Sequence, residues 1–194
     1  MPLAQFGSEA LKKRILPGVS SGELLLSAVR PYSGLRGKTP LSVHASGDQW
    51  VLNGDSALVT YAPIANGFLV TATLQGGAQW VGYCDADVDG LSVVSQRSTS
   101  AELAGHLSFR NVVVSAENTL ATNGKAAELL EWQAQRTYTA LAAQQVGILR
   151  EGLKRAAEYT NERKQFSRSL SSFQAVSQQA ADGYMAIEAL RGVY

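Results

Sequence analysis

Glu162-Arg163-Lys164-Gln165-Phe166, followed by Phe173-Gln174-Ala175, brings together the side chains best suited to binding chemistry in this chain. A guanidinium pairs with phosphate through a fork of donors, an aromatic ring offers a flat face, and amides add directional hydrogen bonds. Grouped where one helix ends and another begins, they could hold an anionic, planar ligand. The competing reading is a solvated helix end with one anchoring phenylalanine, and residue types alone leave both open.

Other stretches look chemical and are weaker. Gly37-Lys38-Thr39 ends like a phosphate loop, but Tyr32 stands where the first glycine belongs, and Pro40 biases Thr39 away from the helical conformation such a loop needs. A basic loop is the simpler reading. No serine sits in a Gly-x-Ser-x-Gly elbow, and neither His44 nor His106 has a neighbouring pattern that makes it a base for a nucleophile. Glu23, Glu117, Glu131 and Glu151 are carboxylates without a partner in sequence, and such residues are usually solvated. Cys84 is the only cysteine, and two histidines cannot form a cluster with metal-ligand spacing. The expectation is no catalytic residue of obvious type, no metal and no disulfide framework, which favours a reducing compartment.

The elements that would position the Arg163 run change character along the chain. Ser8 to Leu16 reads as a short helix stopped by Pro17-Gly18. From Glu23 to Leu120 the texture is that of strands: Gln49–Leu52, Ala57–Thr60, Phe68–Leu74, Gln79–Tyr83 and Leu107–Val114 are rich in β-branched and aromatic residues. Asn53-Gly54-Asp55, Asn66-Gly67, Gly76-Gly77 and Asp89-Gly90 are spaced like the turns of an antiparallel sandwich or barrel. After Asn123-Gly124 a long helix is expected to about Glu162, with Leu130, Thr137, Leu141, Gln144, Ile148 and Arg155 as its stripe and Ala140, Ala143 and Gly147 permitting close approach. A second helix, from about Phe173 to Tyr194, carries Val176, Ala180, Tyr184, Ile187 and Leu190. Two helices cannot cover both of their apolar faces, so a larger helical bundle is expected. The fold class is therefore α+β, an antiparallel β-sandwich or barrel followed by long helices of a bundle. Its divisions are the tail of an N-terminal helical region (1–22), a middle β-domain (23–121) and a partial C-terminal helical domain (122–194).

Composition sets the class. The chain has 194 residues, 45% hydrophobic and 17% charged, enough for a sizeable core. Its net charge of +1 argues against a nucleic-acid or membrane surface. No run approaches the roughly 20 apolar residues that span a bilayer, and no secretory leader opens the sequence. The expected setting is soluble and cytoplasmic.

The order of these motifs resembles the acyl-CoA dehydrogenase family over nearly the whole chain. Gly7 to Pro17 with Ser21-Gly22-Glu23 is similar to the segment leading into that family's middle β-domain. Trp50-Val51-Leu52-Asn53-Gly54, Gly90-Leu91-Ser92-Val93 and Leu107 to Asn118 resemble its later β-domain landmarks, in the same order. The Glu162–Phe166 run with Phe173-Gln174-Ala175 looks like its most recognisable C-terminal motif.

The resemblance implies a flavoprotein that oxidises an acyl-CoA thioester to the 2,3-enoyl form, takes FAD as cofactor, passes electrons to an electron-transfer flavoprotein and assembles as an oligomer. It implies that Arg163 pairs with the FAD pyrophosphate of a neighbouring subunit, that Gln165 and Phe166 flank it, and that Leu170, Phe173 and Val176 line the adenosine side. Thr60 is the surviving member of the family's Trp-Ile-Thr flavin contact, which here reads Leu58-Val59-Thr60.

Departures accompany these matches. Val29 to Leu35 replaces the family's Thr-Glu-Pro-Gly-x-Gly-Ser flavin loop and lacks its hydroxyls. Gln135 beside Arg136 occupies the place where some members carry their base, and an amide cannot take a proton at neutral pH; most members carry the base beyond the position of Tyr194. The expectation is thus a role in fatty-acid or steroid degradation as a fragment of a dehydrogenase, or as a non-catalytic partner like those of heteromeric members, including those acting on steroid side-chain thioesters, joined to a longer subunit. Alone the chain is expected to be inactive. The alternative is a structural or interaction protein that keeps the fold without flavin.

Overall fold

Ser8 caps the second of two N-terminal helices, α1 (Pro2–Phe6) and α2 (Glu9–Ser21), by accepting the Leu11 N–H on its hydroxyl at 3.2 Å. The expected stop at Pro17-Gly18 is corrected: α2 runs through both residues. Proline forfeits one helical hydrogen bond, but Leu16 and Val19 pack against the apolar cluster around Leu11 and Ile15 and carry the helix onward. The stop is Gly22, left-handed at φ 82°, whose N–H returns to the Val19 carbonyl. The computed structural model describes residues 1–30, 40–99 and 101–192. They form two compact units, Met1–Glu131 and Trp132–Tyr194. The Gly37-Lys38-Thr39 stretch and most of the Val29–Leu35 segment lie outside the described residues.

The first unit is built on one sheet of eight strands: β1 (Leu26–Val29), β2 (Ser42–Ser46), β3 (Gln49–Thr60), β4 (Gly67–Leu74), β5 (Gln79–Asp85), β6 (Leu91–Arg97), β7 (Leu103–Ser115) and β8 (Thr119–Thr122). Their order is β6-β7-β3-β2-β4-β5-β8, with β1 also paired to β4. Most pairs are antiparallel as expected, but β1 and β2 both run parallel to β4, so the sheet is mixed. Alternate residues of β4 and β5 enter two different cores. Phe68, Val70, Trp80 and Cys84 join Leu52, Leu107 and Phe109 on one side; Leu69, Val81 and Tyr83 meet Leu3, Leu11 and Ile15 on the other. Burial on both faces is why β4 reads as an almost unbroken apolar run.

Asn53-Gly54-Asp55 is not a turn. β3 continues through it as one strand of twelve residues, with its register to β7 shifting between Leu52 and Gly54. Gly54 sits at φ 131°, and a Cβ there would lie 2.5 Å from the Pro40 carbonyl oxygen and 2.7 Å from the Leu41 Cα. Close passage of the neighbouring backbone, not chain reversal, is what this glycine permits. The adjacent Asn53 side chain donates from Nδ2 to the Asn111 Oδ1 at 3.1 Å and accepts the Asn111 backbone N–H on its Oδ1 at 2.9 Å. Gly76-Gly77, by contrast, makes the turn between β4 and β5, with both residues at positive φ.

The helix α3 spans Asn123–Glu162. In the second unit it is followed by two short strands, β9 (Lys164–Gln165) and β10 (Arg168–Ser169), and by α4 (Gln174–Arg191); the expected end at Tyr194 lies outside the described residues. The stripe expected on α3 is also corrected. Val146 is buried, and Leu153 is partly buried beside Gly183 and Ile187 of α4, whereas Leu141 and Ile148 are exposed. Residues two apart, such as Val146 and Ile148, lie about 200° around a helix. This helix therefore has two apolar seams, and α4 covers one of them. On α4, Val176, Ala180, Ile187 and Leu190 are partly or fully buried as expected, while Tyr184 is exposed.

Candidate functional site

Arg163 is the hinge between helix and hairpin. Its N–H completes a last helical bond to the Tyr159 carbonyl at 2.8 Å, and its own carbonyl accepts the Leu170 N–H at 2.9 Å. Between these bonds β9 and β10 pair antiparallel, with Gln165 opposite Arg168 and Lys164 opposite Ser169. The loop joining them is two residues long, Phe166 at φ 50° and Ser167 at φ 65°. Two left-handed residues in succession give a type I′ hairpin turn, a conformation that favours Gly and Asn. Filling it with Phe and Ser costs about 1–2 kcal/mol per residue. The hydrogen bond closing the hairpin base and the ring contacts described below hold it in place.

The strained turn puts Phe166 on display at 88% exposure. Its inner edge meets Phe173, the N-cap of α4, in a T-shaped contact of 6.4 Å between centroids. The guanidinium of Arg168 lies over the Phe173 ring at 3.9 Å, so Phe173 is held by a cation on its face and by an aromatic neighbour. Serines fix the short 3-10 turn Leu170–Ser172: Ser169 and Ser171 share a hydroxyl bond of 3.0 Å, and Ser172 and Ser177 donate to the Ser169 and Ser171 carbonyls at 2.7 and 2.8 Å. Arg163, Lys164 and Gln165 are exposed, and among the described residues their side chains have no hydrogen-bond or ion-pair partner. The result is a rigid aromatic tip with uncommitted cationic and amide donors at its base, which can receive an anionic group next to a flat one.

Six of the seven residues expected at a site, Arg163, Gln165, Phe166, Leu170, Phe173 and Val176, fall on this one segment. Thr60 belongs to the other unit, at the exposed end of β3, where its carbonyl accepts the Ser27 hydroxyl at 2.6 Å. Nearby Leu58 is exposed in the left-handed region at φ 55°, with its N–H held by the Gln96 side chain at 2.8 Å. This strand end thus presents an aliphatic side chain, as expected from Leu58-Val59-Thr60.

Two arrangements escaped the sequence reading. One is the Arg168 clamp, which depends on the register of a hairpin whose turn carries no glycine. The other lies in the sheet, where the Asp55 carboxylate, 3% exposed, accepts the Ser108 hydroxyl at 2.7 Å and an Arg110 N–H at 3.1 Å, with His106 Nε2 at 3.3 Å. Burial pushes the Asp55 carboxyl up, but the bonds from Ser108 and Arg110, the Arg110 charge and His106 outweigh it and hold it down at about 2. A signal did exist: His106, Ser108 and Arg110 alternate with the buried Leu107 and Phe109, which places all three on one face of β7.

Comparison with known proteins agrees with this fold. Residues 115–193 match the acyl-CoA dehydrogenase C-terminal domain family. The chain is 32% identical to the acyl-CoA dehydrogenase FadE27 of Mycobacterium tuberculosis, over 97% of this chain and 49% of that protein. Among solved structures it superposes on the ChsE4-ChsE5 complex of Mycobacterium tuberculosis with a TM-score of 0.84 at 31% identity, covering 96% of this chain and 50% of that one. The Tcur3481-Tcur3483 steroid ACAD gives 0.82 at 34% identity, with 98% and 50% covered. The chain spans about half the length of the curated relatives it matches. Among the described residues, no helix is long and apolar enough to cross a membrane. Sheet, helices and matched sequence agree: residues 115–193 match the acyl-CoA dehydrogenase C-terminal domain, and the chain is similar to acyl-CoA dehydrogenases over about half of their length.

Proposed function

We propose that this chain is a subunit or fragment of a flavin-dependent acyl-CoA dehydrogenase that helps to bind FAD across a subunit interface and lacks a catalytic base of its own. The observation carrying this reading is the hairpin at Arg163, whose exposed donors have no side-chain partner among the described residues and whose Phe166 ring projects into solvent at 88% exposure. Arg163 and Gln165 would meet the diphosphate, Phe166 would flank it, and Leu170, Phe173 and Val176 would border the adenosine. Bound flavin would supply the hydride acceptor for α,β-dehydrogenation of an acyl-CoA thioester. Thr60 would contribute one hydrogen bond to the flavin, next to a Leu58 that cannot stack.

The two candidate segments therefore fit FAD unequally. The hairpin suits a diphosphate and an adenosine belonging to another chain; the β3 end lacks the tryptophan that would hold a flavin belonging to this one. A longer acyl-CoA dehydrogenase subunit, supplying base and flavin ring site, completes the picture, with an electron-transfer flavoprotein as oxidant in a cytoplasmic setting. Leu58 also favours the second reading, a structural partner that has kept the fold and lost the flavin. Turnover separates these. With acyl-CoA and an artificial electron acceptor, the chain alone is expected to show none, and its complex with a longer subunit is expected to oxidise the thioester. Turnover by the chain alone overturns the proposal; a complex that forms without flavin supports the structural reading.

A further inference from the structure

The geometry points to Arg168 as a positioning residue that sets the hairpin tip in advance of ligand binding, an inference that rests on the reading of the hairpin as an FAD site. Three cations occupy this segment, and they are not equivalent. The exposed side chains of Arg163 and Lys164 have no partner among the described residues. Arg168 is committed: its guanidinium lies 3.9 Å over Phe173, and Phe173 in turn meets the edge of Phe166. The cation thereby steadies a ring whose neighbour stands at the tip of a turn with two non-glycine residues at positive φ.

Without the clamp, Phe173 loses the contact on its face, and the strained Phe166–Ser167 turn has one fewer restraint against relaxing. A tip free to relax must be ordered at the moment of binding, which lowers affinity without removing any ligand contact. The planarity of the guanidinium matters as well as its charge, because a lysine ammonium cannot stack flat on a ring. Arg168 therefore acts through Phe173, in contrast to a cation that pairs with phosphate.

The test has two parts. In the full chain alone, Arg168→Gln is expected to speed amide exchange at Leu170, whose N–H closes the hairpin, while protection across β3 and β7 stays unchanged. In the complex with a longer dehydrogenase subunit, Arg168→Gln is expected to weaken FAD binding by about fivefold, the size of a partly exposed cation–π contact, and Phe173→Leu, which also removes the ring that borders the adenosine, by more. Adding Arg168→Gln to Phe173→Leu should cost nothing further, because the guanidinium then has no ring to steady. Arg168→Lys should not restore affinity, and the salt dependence of FAD binding should match that of the parent. Additive losses, full rescue by lysine or unchanged Leu170 exchange overturns the inference. Arg163→Ala is the control for the site itself: if that variant retains flavin normally, the FAD reading fails, whereas Leu170 exchange still judges the clamp.

Discussion

Arg163→Ala, introduced into the complex of this chain with a longer dehydrogenase subunit, is expected to lower FAD affinity by at least about tenfold. A hydrogen bond to a charged group contributes about 1.5–3 kcal/mol, which corresponds to roughly ten- to a hundredfold in a dissociation constant. The exposed Arg163 side chain has no partner among the described residues, so its truncation leaves no buried group unpaired there and should barely move the melting temperature. The loss should also shrink at high ionic strength, where an exposed guanidinium–phosphate pair is screened. Equilibrium flavin titration at low and high salt measures both effects. Unchanged affinity at low salt would mean that the diphosphate is not held here.

Asp55→Ala is expected to act on stability instead. It removes the acceptor shared by Ser108, His106 and Arg110 at the bulge between β3 and β7. Arg110 is 58% exposed and can turn to water, so its ion pair contributes little. Ser108 and His106 are more enclosed and are left without their acceptor, which costs about 2–3 kcal/mol in all. For a chain of this size that lowers the melting temperature by roughly 5–10 °C.

The pH dependence has a definite sign. The folded carboxyl lies at about 2, below the ordinary value near 3.9, so its stabilisation is complete above about pH 4 and disappears as pH falls towards 2. Thermal melts of parent and variant should differ most near neutral pH and converge between pH 4 and pH 2. A gap that is constant over that range would contradict a charged Asp55 as the source.

Much of the fold was legible because periodicity survives burial. Alternation in β7 and the apolar runs of β4 and β5 follow directly from strands packed on one or both faces. The mixed sheet was not legible, because Leu26–Val29 and Ser42–Ser46 are short and nothing local tells whether such strands pair parallel or antiparallel. Asn53-Gly54 misled for a related reason. The same dipeptide serves a turn or a bulge, and what decides between them is the backbone of Pro40 and Leu41 passing close by. Pro17 misled because tertiary packing of Leu16 and Val19 outweighed one lost hydrogen bond.

At the candidate site the residue types at Arg163, Gln165 and Phe166 were visible, but the hairpin that arranges them was not. Phe166-Ser167 carries no turn signature, so the I′ geometry and the Arg168 clamp emerge only once Gln165 and Arg168 are seen to pair. The exposed Leu141–Ile148 seam likewise needed α4 in place to show which face of α3 it leaves uncovered.

The central claim is that the flavin site is shared between unlike chains. Native mass spectrometry of this chain co-produced with a longer acyl-CoA dehydrogenase subunit tests it directly. A heteromer whose mass includes FAD, and which loses FAD when Arg163→Ala is present, is the predicted result. FAD retained by this chain alone, or a heteromer that keeps its full flavin content in the Arg163→Ala variant, would contradict it.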